Sequence, residues 1–282
     1  MKALLLFAAL VGTPLAAQAI KDQPAVTLDP AKAYIYYEAN KFGTALKLLR
    51  EPNDKDREAY AARRAEAFAK AKKRYVRQHA DWENAKKIEA SGGVKAGAEP
   101  VEPKEDTFAI EPIEIGQMID VGPFNRFTKA GDTSSYLWAV EPGTYRIYGP
   151  VTVTPQGAPM GTCLCMGSVK FEVAAGAITD MGTMVLPFYE AVQTAKDGTS
   201  EKPKTALDLP VGVTSFAVSP AKAGDAIDPR VASFPAHPAV YHASGRAPNY
   251  FGVEIDRLQA VPGVLKYDRD RIIDEASGQE VK

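Results

Sequence analysis

Residues 136–149 read YLWAVEPGTYRIYG and residues 168–186 read SVKFEVAAGAITDMGTMVL, with a loop holding Cys163 and Cys165 between them. Short runs of Val, Ile, Tyr, Phe and Trp broken by Pro-Gly and Ala-Gly turns are the composition of β-strands. In 141–144 (EPGT), Pro142 supplies the φ near −65° that a turn wants, and Gly143 the position where φ must be positive. The expectation is that 145–148 returns as a strand beside 136–140, and that 169–173 and 178–186 form a second hairpin around Ala174, Ala175 and Gly176.

Working outward, 108–115 (FAIEPIEI), 118–121 and 124–128 resume the alternation, and 211–218 (VGVTSFAV) adds another strand. Upstream, 33–38 (AYIYYE) and 44–50 (TALKLLR) read as two strands around a turn at 40–43, and are expected to pair as a hairpin. Downstream, Pro229, Pro235 and Pro238 forbid a long helix, and 264–267 with 271–273 read as a closing hairpin. The tail beyond Asp274 is polar and is expected to fray. Many short strands at this spacing predict a mainly β chain, an antiparallel β-sandwich.

One stretch breaks the pattern. From Asp54 to Ala90 there is neither Gly nor Pro, and Ala, Lys, Arg and Glu dominate, which predicts one long inserted α-helix with Asn53 or Asp54 as N-cap and 91–93 (SGG) as its stop. Ala61, Phe68, Tyr75 and Trp82 recur every seventh residue, a narrow apolar stripe expected to pack on its own domain or on another helix. Residues 92–106 (GGVKAGAEPVEPKED) have the composition of a flexible connector. The resulting division is 1–19 leader, 20–52 first hairpin, 53–90 helix, 91–107 linker, 108–220 sandwich core and 221–282 an extension packed on the sandwich.

The N-terminus predicts the compartment. Lys2 is followed by an apolar run over 3–11, a break at 12–14 and a small-x-small pattern at Ala17, Gln18 and Ala19, the layout of a secretory signal peptide cut after Ala19. The run is too short to span a bilayer, and no later segment approaches about 20 apolar residues, so the mature protein is expected in the periplasm or medium without a membrane span. Formal net charge of −1, with 45% hydrophobic and 24% charged residues, is ordinary for a globular chain and gives no global attraction for nucleic acid.

Export makes a disulfide the default for the only two cysteines. Cys163 and Cys165 have the wrong spacing for a Cys-x-x-Cys oxidoreductase, and on a straight strand their α carbons would lie ~6.5 Å apart, near the upper limit for a bond between them. Disulfide, buried free thiols and a metal pair all stay open. Met160, Met166, Met181 and Met184 fall within the same 25 residues, and clustered soft sulfur ligands suit Cu(I), with Met160, Met181 and Met184 as the candidate ligands beside the cysteines. On the helix, Lys70, Lys72, Lys73, Arg74 and Arg77 form a basic cluster that reads either as a solvated face or as a patch for an anionic partner. Residues 268–274 (DRDRIID) lack the Gly and the final acid of a calcium loop and read as a charged hairpin edge. Three scattered histidines, no Gly-x-Ser-x-Gly elbow and no phosphate loop match none of the common enzyme signatures. The expectation is a protein that is not an enzyme and needs no cofactor.

The 137–148 stretch with its Pro-Gly turn, followed by 169–186, resembles PEGA-type and related transthyretin-like, or carboxypeptidase-regulatory-like, β-sandwich modules. The Cys-x-Cys-Met-Gly stretch also resembles one shared by uncharacterised exported bacterial proteins. This resemblance spans about 50 residues and implies a non-catalytic, envelope-associated module that binds another envelope protein or polymer. It carries over no catalytic residue.

Overall fold

The computed structural model describes residues 17–40, 46–131, 133–149, 151–153, 157–163, 166–185, 216–255 and 257–282. The chain divides into two compact units, 1–51 with 118–282, and 52–117.

The first unit is built on two sheets that share a core. One has seven strands: β1 (Gln18–Ala19), β6 (Thr133–Val140), β2 (Ala33–Asn40), β11 (Ile178–Val185) and β12 (Ala217–Ser219) in order, with β5 (Thr128–Ala130) on β6 and β13 (Ala236–Pro238) on β11. The other has five: β14 (His242–Ala243), β10 (Val169–Val173), β7 (Gly143–Gly149), β3 (Leu46–Arg50) and β4 (Met118–Val121). Pairing is antiparallel except where β11 runs parallel to β2 and to β13. Alternation along each strand puts one set of side chains inward. Ile35, Tyr37, Tyr136, Trp138, Met181 and Met184 from the first sheet meet Leu46, Leu48, Tyr145, Ile147, Phe171 and Val173 from the second in one buried cluster. That interleaving is a β-sandwich.

None of the three hairpins expected upstream and at the centre forms. Val140 and Gly143 are three residues apart, yet β6 belongs to the seven-stranded sheet and β7 to the five-stranded one. Three extended Cα steps reach about 10 Å, the separation of packed sheets, so the Pro-Gly turn is an arch over the edge of the core. Gly143 takes φ 148° there, Tyr145 donates its hydroxyl to the Glu141 carbonyl at 2.7 Å, and the buried Arg50 pairs with the Glu141 carboxylate at 3.0 Å. The same correction applies to β2 and β3, and to β10 and β11. Each pair is consecutive in sequence but split between the sheets, and the true partners are distant: β2 with β6, β3 with β7, β10 with β7. Turn chemistry marks a reversal of the chain without saying whether the reversal is within a sheet or across the core.

Two three-stranded sheets complete the unit: β8 (Val151–Val153), β9 (Pro159–Cys163) and β15 (Glu254–Ile255), then β16 (Leu265–Asp268), β17 (Arg271–Asp274) and β18 (Glu280–Val281). Here the charged hairpin edge does form, with Asp268 opposite Arg271. The tail does not fray: Val281 lies opposite Ile272, and Asp274 donates its N–H to the Gln279 carbonyl at 2.9 Å. Leu258, Val261, Leu265 and Ile272 join the shared core, so the C-terminal extension packs on the sandwich. At the other end of the chain, Gln18 and Ala19 lie opposite Ala139 and Trp138.

The second unit hangs on one connection. β3 and β4 are antiparallel neighbours with Leu49 opposite Met118, so residues 52–117 replace what would be a hairpin turn. α1 runs Asp54–Ala90, 37 residues, about 55 Å at 1.5 Å per residue. Asn53 and Asp56 form a reciprocal capping box, each side chain accepting from the other's N–H at 3.0 and 2.8 Å. No helix residue is fully buried. The apolar stripe is instead covered by the segment that follows, which sequence composition had marked as a free connector. Trp82 Nε1 donates to the Gly97 carbonyl at 3.0 Å, Arg64 donates to the Phe108 carbonyl at 3.1 Å and to that of Glu105, and the Phe68 and Phe108 rings meet at a tilt with centroids 5.3 Å apart. From Trp82 back to Arg64 the helix spans about 27 Å. A polyproline-like strand covers that length in about nine residues at 3.1 Å each, which matches a return from Gly97 to Glu105 past Pro100 and Pro103. No helix among the described residues is long and apolar enough to cross a membrane.

Candidate functional site

The outward face of the seven-stranded sheet is where polar side chains gather. On β2 the inward residues are Ile35 and Tyr37, so Tyr34, Tyr36 and Glu38 point outward, beside Ser135 and Leu137 of β6 and Ile178 and Asp180 of β11. Segments around Val26, Leu28, Val231 and Phe234 cover Tyr34, Leu137 and Ile178. Beyond that cover, Tyr36 and Glu38 wall two adjoining cavities.

The larger, about 420 Å³, is lined by Glu38, Asp180, Thr183, Ser219, Lys222 and Asp225 among others. The smaller, about 230 Å³, is lined by Tyr36, Glu38, Ser135, Thr128, Ala226 and Asp228 among others. Asp180 is 8% exposed and receives the Gly182 N–H at 2.8 Å. Burial raises its pKa above the ordinary aspartate value, the Gly182 bond opposes this, and the charges of Glu38 and Asp225 add to the rise. Tyr36 donates to Glu38 Oε1 at 3.3 Å, and burial pushes its phenol far up. Ser135 is 5% exposed, and its hydroxyl lies beside the Tyr36 phenol, where it opposes the effect of burial on that group.

Asp228 on the rim of the smaller cavity is already spoken for. Arg230 Nε and its backbone N–H both reach Asp228 Oδ1 at 2.9 Å, a second guanidinium nitrogen reaches Oδ2 at 2.8 Å, and Thr128 Oγ1 donates to Oδ2. Arg230 holds this carboxyl well below the usual range, with burial opposing. The same guanidinium bonds Asp22 Oδ1 at 2.6 Å and the Phe127 carbonyl at 3.0 Å, and lies over the Phe127 ring. This cluster clasps three separate segments together. The open acceptors are Glu38, Asp180 and Asp225, spread over two strands and a loop.

Sequence reasoning singled out none of these groove residues. Each carboxylate sits alone in its own stretch, and an outward charge on a strand reads as ordinary solvated surface. The residues it did single out are placed as follows. Met181 and Met184 are fully buried in the aromatic and aliphatic core. Met166 is 7% exposed with φ 38°, packed with Leu49, Tyr148 and Val151. Cys163 ends β9, while its side chain, that of Met160 and the whole of Cys165 lie outside the described residues. Lys70, Lys72, Lys73, Arg74 and Arg77 are all exposed on α1, with Lys70 paired to Glu66 at 2.6 Å and Lys72 near Glu102 at 3.9 Å. Among the described residues no group of three or more His, Cys, Asp or Glu side chains is placed to hold a metal ion.

Comparison of the chain with protein-family models, with curated proteins and with solved structures finds no match.

Proposed function

We propose that this chain is an exported, non-catalytic binding protein of the bacterial cell envelope, and that it meets its ligand at the groove on the outward face of the seven-stranded sheet. The observation that carries the reading is the groove itself. Two adjoining cavities of about 420 and 230 Å³ share the walls Tyr36 and Glu38, the larger within the size range of ligand pockets, and present open acceptors instead of an acid, base and nucleophile in contact. The secretory pattern at 1–19 supports export, and the sandwich built around 137–186 is in keeping with the transthyretin-like resemblance.

The test is retention on envelope material. Protein produced with its leader is expected in the periplasmic or secreted fraction, and the immobilised chain is expected to retain an envelope component that Asp225→Asn on the exposed loop releases. Recovery of no envelope component, or equal retention by the variant, overturns the reading.

A further inference from the structure

We infer that the 52–117 unit binds a second copy of itself, the acidic strap of one copy lying along the basic open face of α1 in the next. Neither surface belongs to the groove proposed above as the ligand site.

The unit carries its two signs of charge on opposite sides. The strap meets α1 at Arg64, Phe68, His79 and Trp82. At about 100° per residue, Lys70, Lys73 and Arg77 stand roughly 140–200° round the helix from Phe68, on the side that the strap leaves open. Lys73, Arg74 and Arg77 are exposed and make no ion pair among the described residues, while Lys70 is paired to Glu66 at 2.6 Å. Lys70 with Arg74, and Lys73 with Arg77, are like charges four residues apart. That spacing works against the helix, and a row of carboxylates laid along the face relieves it.

The strap is such a row. Glu99, Glu102 and Glu105 fall at every third residue, the period of a polyproline-like segment, so they share one edge. All three are exposed. Within its own copy Glu99 faces His79 at 3.5 Å and Glu102 faces Lys72 at 3.9 Å, yet their side chains stay 59% and 57% exposed, and the Glu105 carboxylate has no ion-pair partner among the described residues. The lengths agree: Glu99 to Glu105 covers about 19 Å at 3.1 Å per residue, and Arg63 to Arg77 about 21 Å along the helix. The heights agree as well, because the strap returns from Trp82 to Arg64. A sideways translation therefore sets the acids of one copy against the cations of the next. Two different patches meet, so the contact is head-to-tail and repeats without closing. Residues 52–117 hold as many Asp and Glu as Lys and Arg, which leaves the unit no net charge with which to draw in a polyanion or an anionic bilayer.

Sedimentation velocity of the intact mature chain at about 0.02 M and about 0.5 M salt, either side of the range in which exposed charges become screened, reads the contact. Exposed ion pairs each add little, so the expected result is a weak association. Mass should rise with protein concentration past the dimer at low salt and fall to monomer at high salt. Lys73→Glu with Arg77→Glu, on the open face, is expected to stay monomeric at low salt, and so is Glu102→Lys with Glu105→Lys. Mixing the two variants is expected to restore association, since each then offers the charge that the other lacks. Circular dichroism checks that the helix persists in each variant; if the strap variant loses structure, the helix variant decides alone. Monomer at both salt concentrations, association that survives high salt, a helix variant that associates like the parent, or a mixture of two folded variants that stays monomeric overturns the assignment. A parent chain that stays monomeric but co-sediments at low salt with phosphatidylglycerol vesicles gives the basic face to an anionic lipid surface instead, and overturns it equally.

Discussion

The two units of this chain are stabilised by opposite means. In the sandwich nearly every partner is far away in sequence, and cohesion comes from burial: Tyr37, Tyr136, Tyr145, Leu48 and Phe171 are all at most 1% exposed. In the 52–117 unit no helix residue is buried, and cohesion comes from a capped helix and a strap that doubles back along it. The lesson is that burial and pairing at long range make a cooperative block, whereas local contacts make a piece that can open on its own.

That contrast sets the order of expected damage. Phe171→Ala removes an aromatic ring that packs on Tyr145 and edge-on to Tyr241, with centroids 6.2 and 5.5 Å away. It should cost about 4 kcal/mol in urea unfolding. Arg230→Ala leaves the Asp228 carboxylate, the Thr128 hydroxyl and the Phe127 carbonyl without their shared donor, and should cost about 2 kcal/mol, since the arginine is partly in contact with solvent. Asp228 is held below its ordinary pKa in the folded protein. Its contribution is therefore present above the usual aspartate range and lost as pH falls through the folded value. Acid titration of Asp228→Asn should show a flatter decline than the parent protein.

Within the inserted unit, Asn53→Ala breaks one half of the capping box and should cost about 1 kcal/mol of helix stability. Fluorescence or exchange at the helix should register it while the unfolding midpoint of the sandwich stays put. A shift of both together would break the comparison. Smallest, and opposite in sign, is Tyr37→Phe. Its hydroxyl is fully buried with no partner, and the ring stacks on Tyr136 at 4.8 Å, so deleting the oxygen should leave stability unchanged or raise it by up to about 1 kcal/mol. A loss of more than that would mean the hydroxyl has a role in the core.

The same contrast explains what was legible beforehand. α1 is read directly from 54–90 because its determinants are local: the Asn53 cap, the absence of Gly and Pro, the stop at Ser91 and Gly92. The mainly β class and most strand positions follow from alternation, although 108–115, which alternates, forms no strand and belongs to the 52–117 unit; the 265–274 hairpin forms as its sequence suggests. The partners of β2, β7 and β11 were not legible. Val140 to Gly143 and Val173 to Ile178 carry the residues of a tight turn, and those residues serve an arch between sheets equally well. The strap at 97–108 was missed for a related reason. It buries little of itself, and its hold on the helix comes from carbonyls of Gly97, Glu105 and Phe108, groups that every residue possesses. The groove was invisible because Glu38, Ser135, Asp180 and Asp225 come together only through the β6–β2–β11 pairing, and no spacing in the chain announces it.

Native-state hydrogen exchange, read residue by residue, tests the two-unit account most directly. Amides of α1 should exchange through local opening at a free energy well below that of global unfolding, and Phe171→Ala should leave that value alone while lowering protection throughout β2, β6, β7 and β10. A single class of amides, with α1 and the sandwich losing protection together in the variant, would contradict it.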